Sequence, residues 1–181
     1  MTLQTKPLAL TANGRRVGPV DVPEEIMMLD FLHEYLNLTG ARMGCGQGIC
    51  HACTIIVENE DGSLSEMRTC ITGAHWFDGK QVRTIEGHAK YDANGNLAAL
   101  SPVQQAFIEH FSFQCGYCTP GFVTAATVLL DRLKREPVSR AELDEVVTTT
   151  LDKHICRCTG YVRYLQAVRD LVLKTPGLLT G

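Results

Sequence analysis

Two periods divide the chain. In the first half apolar residues come in strand-length runs: residues 8–11 and 17–22 flank Asn13-Gly14, a dipeptide suited to a type I′ turn, and predict an opening β-hairpin. Between Pro23 and Asn37, Ile26, Leu29, Phe31, Leu32, Tyr35 and Leu36 recur at helical steps and predict one short amphipathic helix. The β-branched run Thr54-Ile55-Ile56-Val57 predicts a buried strand, Asp61-Gly62 a turn, and residues 82–85 a last strand. Strands around one helix predict a small α+β domain over residues 1–87.

Residues 88–100 have turn formers and little apolar periodicity, the pattern of a linker. After it the period becomes helical. Ser101-Pro102 opens a helix to about Phe113, Thr119-Pro120 a second to about Lys134, Ser139 with Glu142 a third to about Leu151, and a fourth runs from about Val162 to Leu173. Short loops between four helices predict an antiparallel bundle over residues 101–181.

A chain of 181 residues, 45% hydrophobic, can bury one good core or two small ones. Its formal net charge of −3 argues against a nucleic-acid partner, because no excess of Lys and Arg is available to neutralise phosphate. The first ten residues lack a signal-type apolar run, and no segment has the ~20 apolar residues needed to span a bilayer. The expectation is a cytoplasmic protein without membrane insertion, or a periplasmic one if a signal-bearing partner exports the assembly. In a reducing compartment eight cysteines read as metal ligands or redox groups before disulfides.

Cys45, Cys50, Cys53 and Cys70 stand as C-x4-C-x2-C with a distant fourth, the plant-type [2Fe–2S] spacing. Gly40, Gly44, Gly46 and Gly48 suit a loop that turns tightly and brings backbone N–H groups close to sulfur. Structural zinc usually takes two cysteine pairs and fits this cluster of three poorly. Thr54 after Cys53 excludes a c-type haem motif, and His51 lacks the second histidine of a Rieske pattern. His51 reads as a surface residue of the loop.

Cys115 and Cys118 fall between the first and second predicted helices, and Cys156 and Cys158 between the third and fourth. In an up-down bundle both loops lie at one end, so the four thiolates can converge on one centre. Cys115-Gly116-Tyr117-Cys118 follows a helix rather than a strand, which argues against a thioredoxin-like motif. The residues alone leave a second [2Fe–2S] cluster and a zinc site both open here.

With both groups placed, the chain resembles the small iron–sulfur subunit of the molybdenum hydroxylases, the xanthine oxidase family. The matching residues are the run from Gly44 to Thr54, then Cys70, Thr84-Ile85-Glu86-Gly87, the run from Pro102 to Phe107, the run from Gln114 to Gly121, and the run from Cys156 to Tyr161. The resemblance spans nearly the whole chain. It implies an α+β protein with an N-terminal β-grasp plant-type ferredoxin-like domain and a C-terminal all-α four-helix bundle, each holding one [2Fe–2S] cluster. It further implies a large partner subunit holding molybdopterin, with Gln114 hydrogen-bonded to the pterin and Cys158 approaching its amine, and a flavin subunit or cytochrome as electron acceptor. A free-standing two-cluster ferredoxin and a zinc-binding interaction module are the competing readings.

The chain departs from the family pattern at His51, where Gly is usual, at Gly73, where Pro is common, and at Lys153-His154, where Gly-Asn is frequent; its linker around residues 90–96 is long. All eight cysteines remain. His33, His75, His88 and His110 read as surface or locally satisfied residues, Trp76 and Phe77 as core or subunit contacts, and Arg157 as facing a partner. No acid–base pair stands in a catalytic pattern, so the chemistry is expected on the partner.

Overall fold

A computed structural model describes residues 4–180. The opening hairpin pairs β1 (Thr5–Ala12) with β2 (Arg15–Pro23) around the Asn13-Gly14 turn, where both residues take positive φ. The helix α1 is shorter than the apolar pattern implied, Met28–Glu34, because Ile26 is tied back to Pro23 and Met27 bridges Gly73. It is followed by β3 (Thr54–Glu58), β4 (Leu64–Arg68) and β5 (Gln81–Arg83). The five strands form one mixed sheet in the order β2-β1-β5-β3-β4, with β1 and β5 parallel. Leu8, Leu10, Phe31, Ile55, Val57, Phe77 and Val82 fill the core between sheet and α1.

The β-branched run in β3 is buried on both faces. Alternation turns Ile55 and Val57 into the first core and Thr54 and Ile56 to the opposite face. A helix of the second half covers that face.

The segment read as a linker carries a small hairpin, β6 (Lys90–Tyr91) and β7 (Leu97–Ala99). Its turn is closed by Asp92, whose carboxylate accepts from the N–H of Asn94 at 2.8 Å and of Asn96 at 2.9 Å. The helices are α2 (Pro102–Glu109), α3 (Thr119–Arg135), α4 (Leu143–Leu151) and α5 (Val162–Lys174). Phe107, Phe122, Leu129, Leu133, Val147, Leu151, Tyr164 and Val168 make their shared core.

Ser101 and Gln104 complete a reciprocal capping box on α2. Ser139 and Glu142 do not, since the Ser139 hydroxyl donates to Glu142 instead of accepting from backbone, and α4 begins later than the motif suggested. The long helix α3 lies against β3 and β4. There Thr124 Oγ1 donates to the Thr54 carbonyl at 3.4 Å, and the Leu64 N–H donates to Asp131 at 3.3 Å. Among the described residues no helix is long and apolar enough to cross a membrane.

Candidate metal centres at the two cysteine groups

The first cysteine loop leaves α1 and returns into β3, so Cys45, Cys50 and Cys53 are presented before the strand begins and Cys70 just after β4 ends. Cys53 and Cys70 are buried, Cys45 and Cys50 half-buried, and none of the eight cysteines is in a disulfide. The thiol of Cys50 is a hydrogen-bonding neighbour of Cys45, and that of Cys70 of Cys53. The fold thus brings the four thiols of this group together.

Backbone N–H groups of Gln47, Ile49 and Cys50 converge on the Cys45 sulfur at 3.3, 3.3 and 3.4 Å. The Cys50 N–H, aided by those of Gln47 and Ile49 and opposed by burial, lowers the Cys45 thiol to about 6. Such convergence stabilises sulfur that carries negative charge. Positive φ at Gly46 and Gly48 lets the loop turn those amides inward, and at Gly44 a Cβ would lie 2.7 Å from the Cys50 sulfur. Burial pushes the Cys70 thiol up to about 11, so a buried thiolate there needs a compensating positive centre.

The second group is assembled across the bundle. Cys115 and Cys118 stand in the α2–α3 loop and Cys156 and Cys158 in the α4–α5 loop, and the Cys115 and Cys158 sulfurs are 3.5 Å apart. Cys118 and Cys156 are neighbours too. The group is asymmetric: Cys118 and Cys156 are buried while Cys115 and Cys158 are exposed. Cys118 is the residue before the first turn of α3, where the helix N-terminus favours negative charge. Burial, with Cys156 beside it, pushes its thiol up to about 12, while for Cys156 hydrogen bonds from Thr159 outweigh burial and lower it.

The Tyr164 hydroxyl reaches this group, 3.9 Å from the Cys118 sulfur and 2.8 Å from Thr119 Oγ1. Its ring stacks on Phe122 with centroids 4.1 Å apart. Sequence reasoning passed over Tyr164, whose only signal was its place on the apolar face of the last helix.

The two cysteine loops touch. The Ile155 N–H donates to the Cys50 carbonyl at 3.1 Å, and the Tyr117 hydroxyl donates to the Met43 carbonyl at 2.7 Å. His51 is not simply a surface residue: its Nδ1 is buried, and its ring meets the edge of the buried His154 ring at 4.9 Å. Trp76 is about half exposed with Lys80 over its ring, so only Phe77 of that pair is core. His33, His75 and His110 have local partners, whereas His88 is buried beside Thr127 with Nε2 unpartnered. Gln114 and Arg157 are exposed in the two loops of the second group.

Four thiols brought together in each group, with amides converging on Cys45 and no disulfide, suit an iron–sulfur centre. The sequence matches, over residues 84–169, the family described as "[2Fe-2S] binding domain" and, over residues 40–83, that described as "Iron-sulfur cluster binding domain of dihydroorotate dehydrogenase B". The nicotine 6-hydroxylase small subunit of Paenarthrobacter nicotinovorans is 39% identical over 158 residues, covering 87% of this chain and 84% of the relative. The nicotinate dehydrogenase small FeS subunit of Eubacterium barkeri is 36% identical over 163 residues, covering 90% of this chain and 92% of the relative. The crystal structure of quinoline 2-oxidoreductase from Pseudomonas putida 86 superposes with a TM-score of 0.77 at 30% identity, covering 97% of this chain and 94% of its own.

The chain belongs to the family of small iron–sulfur subunits of the molybdenum hydroxylases. It is the iron–sulfur subunit of an oxidoreductase and is not catalytic alone.

Proposed function

We propose that this chain relays electrons singly from a molybdopterin site, held by a large partner subunit, to a flavin or cytochrome acceptor, using two [2Fe–2S] clusters. Cys45, Cys50, Cys53 and Cys70 would hold one, and Cys115, Cys118, Cys156 and Cys158 the other. A bound [2Fe–2S] cluster accepts and returns one electron at a time. The observation that supports the reading is the gathering of four undisulfided thiols in each group, with three backbone N–H groups on the Cys45 sulfur and the Cys115 and Cys158 sulfurs 3.5 Å apart.

The exposure of Cys115 and Cys158 supports placing the molybdopterin side at this group. Around it stand Phe111, 73% exposed, with Phe113, Tyr117 and Val162, an apolar surround suited to burial under another subunit. Gln114 directly precedes Cys115 and is exposed on the same loop, and its amide can donate or accept a hydrogen bond. Cys158 would approach the pterin amine and Gln114 would hydrogen-bond the pterin. The first cysteine loop, behind the Cys50–Ile155 contact, is then the onward side.

Native purification tests this reading. Recovery of the chain with a large molybdenum-containing partner, and loss of that association in a Phe111→Asp, Val162→Asp variant that keeps its iron, is expected. A monomer rich in iron with no molybdenum partner would instead make it a free-standing ferredoxin.

A further inference from the structure

His51, His154 and Glu66 come from three separate segments: the first cysteine loop, the loop before Cys156, and β4. Each offers one ligand atom, and the three atoms lie within 4.8 Å of one another. His154 is 1% exposed, and neither of its ring nitrogens has a hydrogen-bond partner. The Nδ1 of His51 is likewise buried and unpartnered, while its Nε2 faces Arg68 Nη1 at 3.4 Å. Buried imidazole nitrogens ordinarily find partners. Three orphaned nitrogens around one carboxylate are the feature to be explained.

The spacing is that of metal ligands drawn slightly apart. His154 Nε2 and Glu66 Oε2 are 3.6 Å apart, too far for a good hydrogen bond. Neighbouring ligands of a tetrahedral zinc ion, with bonds of about 2.0–2.2 Å, stand roughly 3.3 Å apart. The His154–Glu66 pair is a few tenths of an ångström from that spacing, and the widest separation in the trio exceeds it by at most about 1.5 Å. Two imidazoles and a carboxylate are the donor set of a borderline-soft ion, which argues for zinc over calcium or magnesium.

The surroundings hold the trio in place. Phe122 packs on the His154 ring at 5.1 Å, and Gly121 leaves room for it, since a Cβ there would lie 3.1 Å from His154 Nδ1 and 2.4 Å from the His51 carbonyl. Glu66 is 28% exposed at its side chain, which leaves a route to solvent and a place for a water ligand. Arg68 is the nearby cation and would turn toward the Gly48 carbonyl, to which it already donates at 3.2 Å.

We propose that His51, His154 and Glu66 form a zinc-type divalent metal site that staples the first cysteine loop to the loop before Cys156. It shares no ligand with either cysteine group, so it stands or falls apart from the electron-relay reading.

The test uses the iron-loaded protein, freed of loosely held metal with a chelator and equilibrated by dialysis against Zn²⁺ alone, with zinc, iron and sulfide measured together. One zinc per chain is expected without loss of iron, and His154→Asn should weaken zinc binding by about tenfold or more at unchanged iron content. Should His154→Asn fail to hold iron, Glu66→Gln, on the strand, gives the same comparison. No zinc uptake, uptake only at the expense of iron, or equal affinity in a variant that keeps its iron would overturn the site.

Discussion

The backbone N–H of Ile155 donates to the carbonyl of Cys50 at 3.1 Å, joining the loop of one cysteine group directly to that of the other. Gly121, in the first turn of α3, closes the same seam, because nothing larger than hydrogen fits against the His51 carbonyl. The two halves of the molecule therefore meet at their cysteine loops as well as along α3 and the sheet.

Gly121→Ala places a Cβ 2.4 Å from the His51 carbonyl oxygen, a backbone atom with little room to retreat. The expected cost is about 1–3 kcal/mol. Thermal unfolding of the iron-loaded protein should show a lowered midpoint, and the electron paramagnetic resonance signal of the first centre should change. An unaltered midpoint would show that the loop yields.

Tyr164 is fully buried, stacked on Phe122 and edge-on to Phe107. Tyr164→Phe removes only the hydroxyl that bonds Thr119 and should cost about 1 kcal/mol, whereas Tyr164→Ala opens a cavity and should cost about 3–5 kcal/mol. Denaturant unfolding of the two variants side by side measures the difference.

His88 is buried beside Thr127, and burial, with a smaller effect of Arg83, lowers its pKa from 6.5 to about 4. The unfolded chain then binds a proton that the folded one does not. Stability is complete above pH 6.5 and falls as pH drops toward 4, by at most about 3 kcal/mol. His88→Gln should flatten this part of the pH–stability curve relative to the parent, measured by denaturant unfolding from pH 4 to 7.

In cluster-free protein the Cys70 and Cys118 thiols, held up near 11 and 12 by burial, are neutral at pH 7, whereas Cys45, near 6, is mostly thiolate. Metal ligation requires thiolates, so assembly releases protons from Cys70 and Cys118 and is favoured by rising pH. Reconstitution in weak buffer with a pH indicator should show that release, and Cys118→Ser should reduce it.

Most of the architecture was legible because it rests on local signals. Asn13-Gly14 marked the hairpin, Ser101-Pro102 the start of α2, and the β-branched run from Thr54 the buried strand. What escaped depended on tertiary partners. The Pro23–Asn37 pattern suggested a longer helix because Ile26 and Leu36 are apolar for packing around α1, not within it. Turn chemistry at Asp92 makes a hairpin out of a segment with no apolar rhythm. His51 and His154 stood out in the sequence only as separate departures from the family pattern, since only the fold shows that they meet. The cysteine groups differed in the same way: spacing alone placed the first, while the second needed two loops brought to one end of the bundle.

Both cysteine groups are proposed to hold two irons each. Iron and sulfide analysis of the purified chain, with electron paramagnetic resonance of the reduced protein, tests it most directly. About four irons and four sulfides per chain and two distinct [2Fe–2S] signals are predicted, with Cys53→Ser and Cys118→Ser each abolishing a different one. A single signal with about two irons, or zinc in place of iron at the Cys115 group, would contradict it.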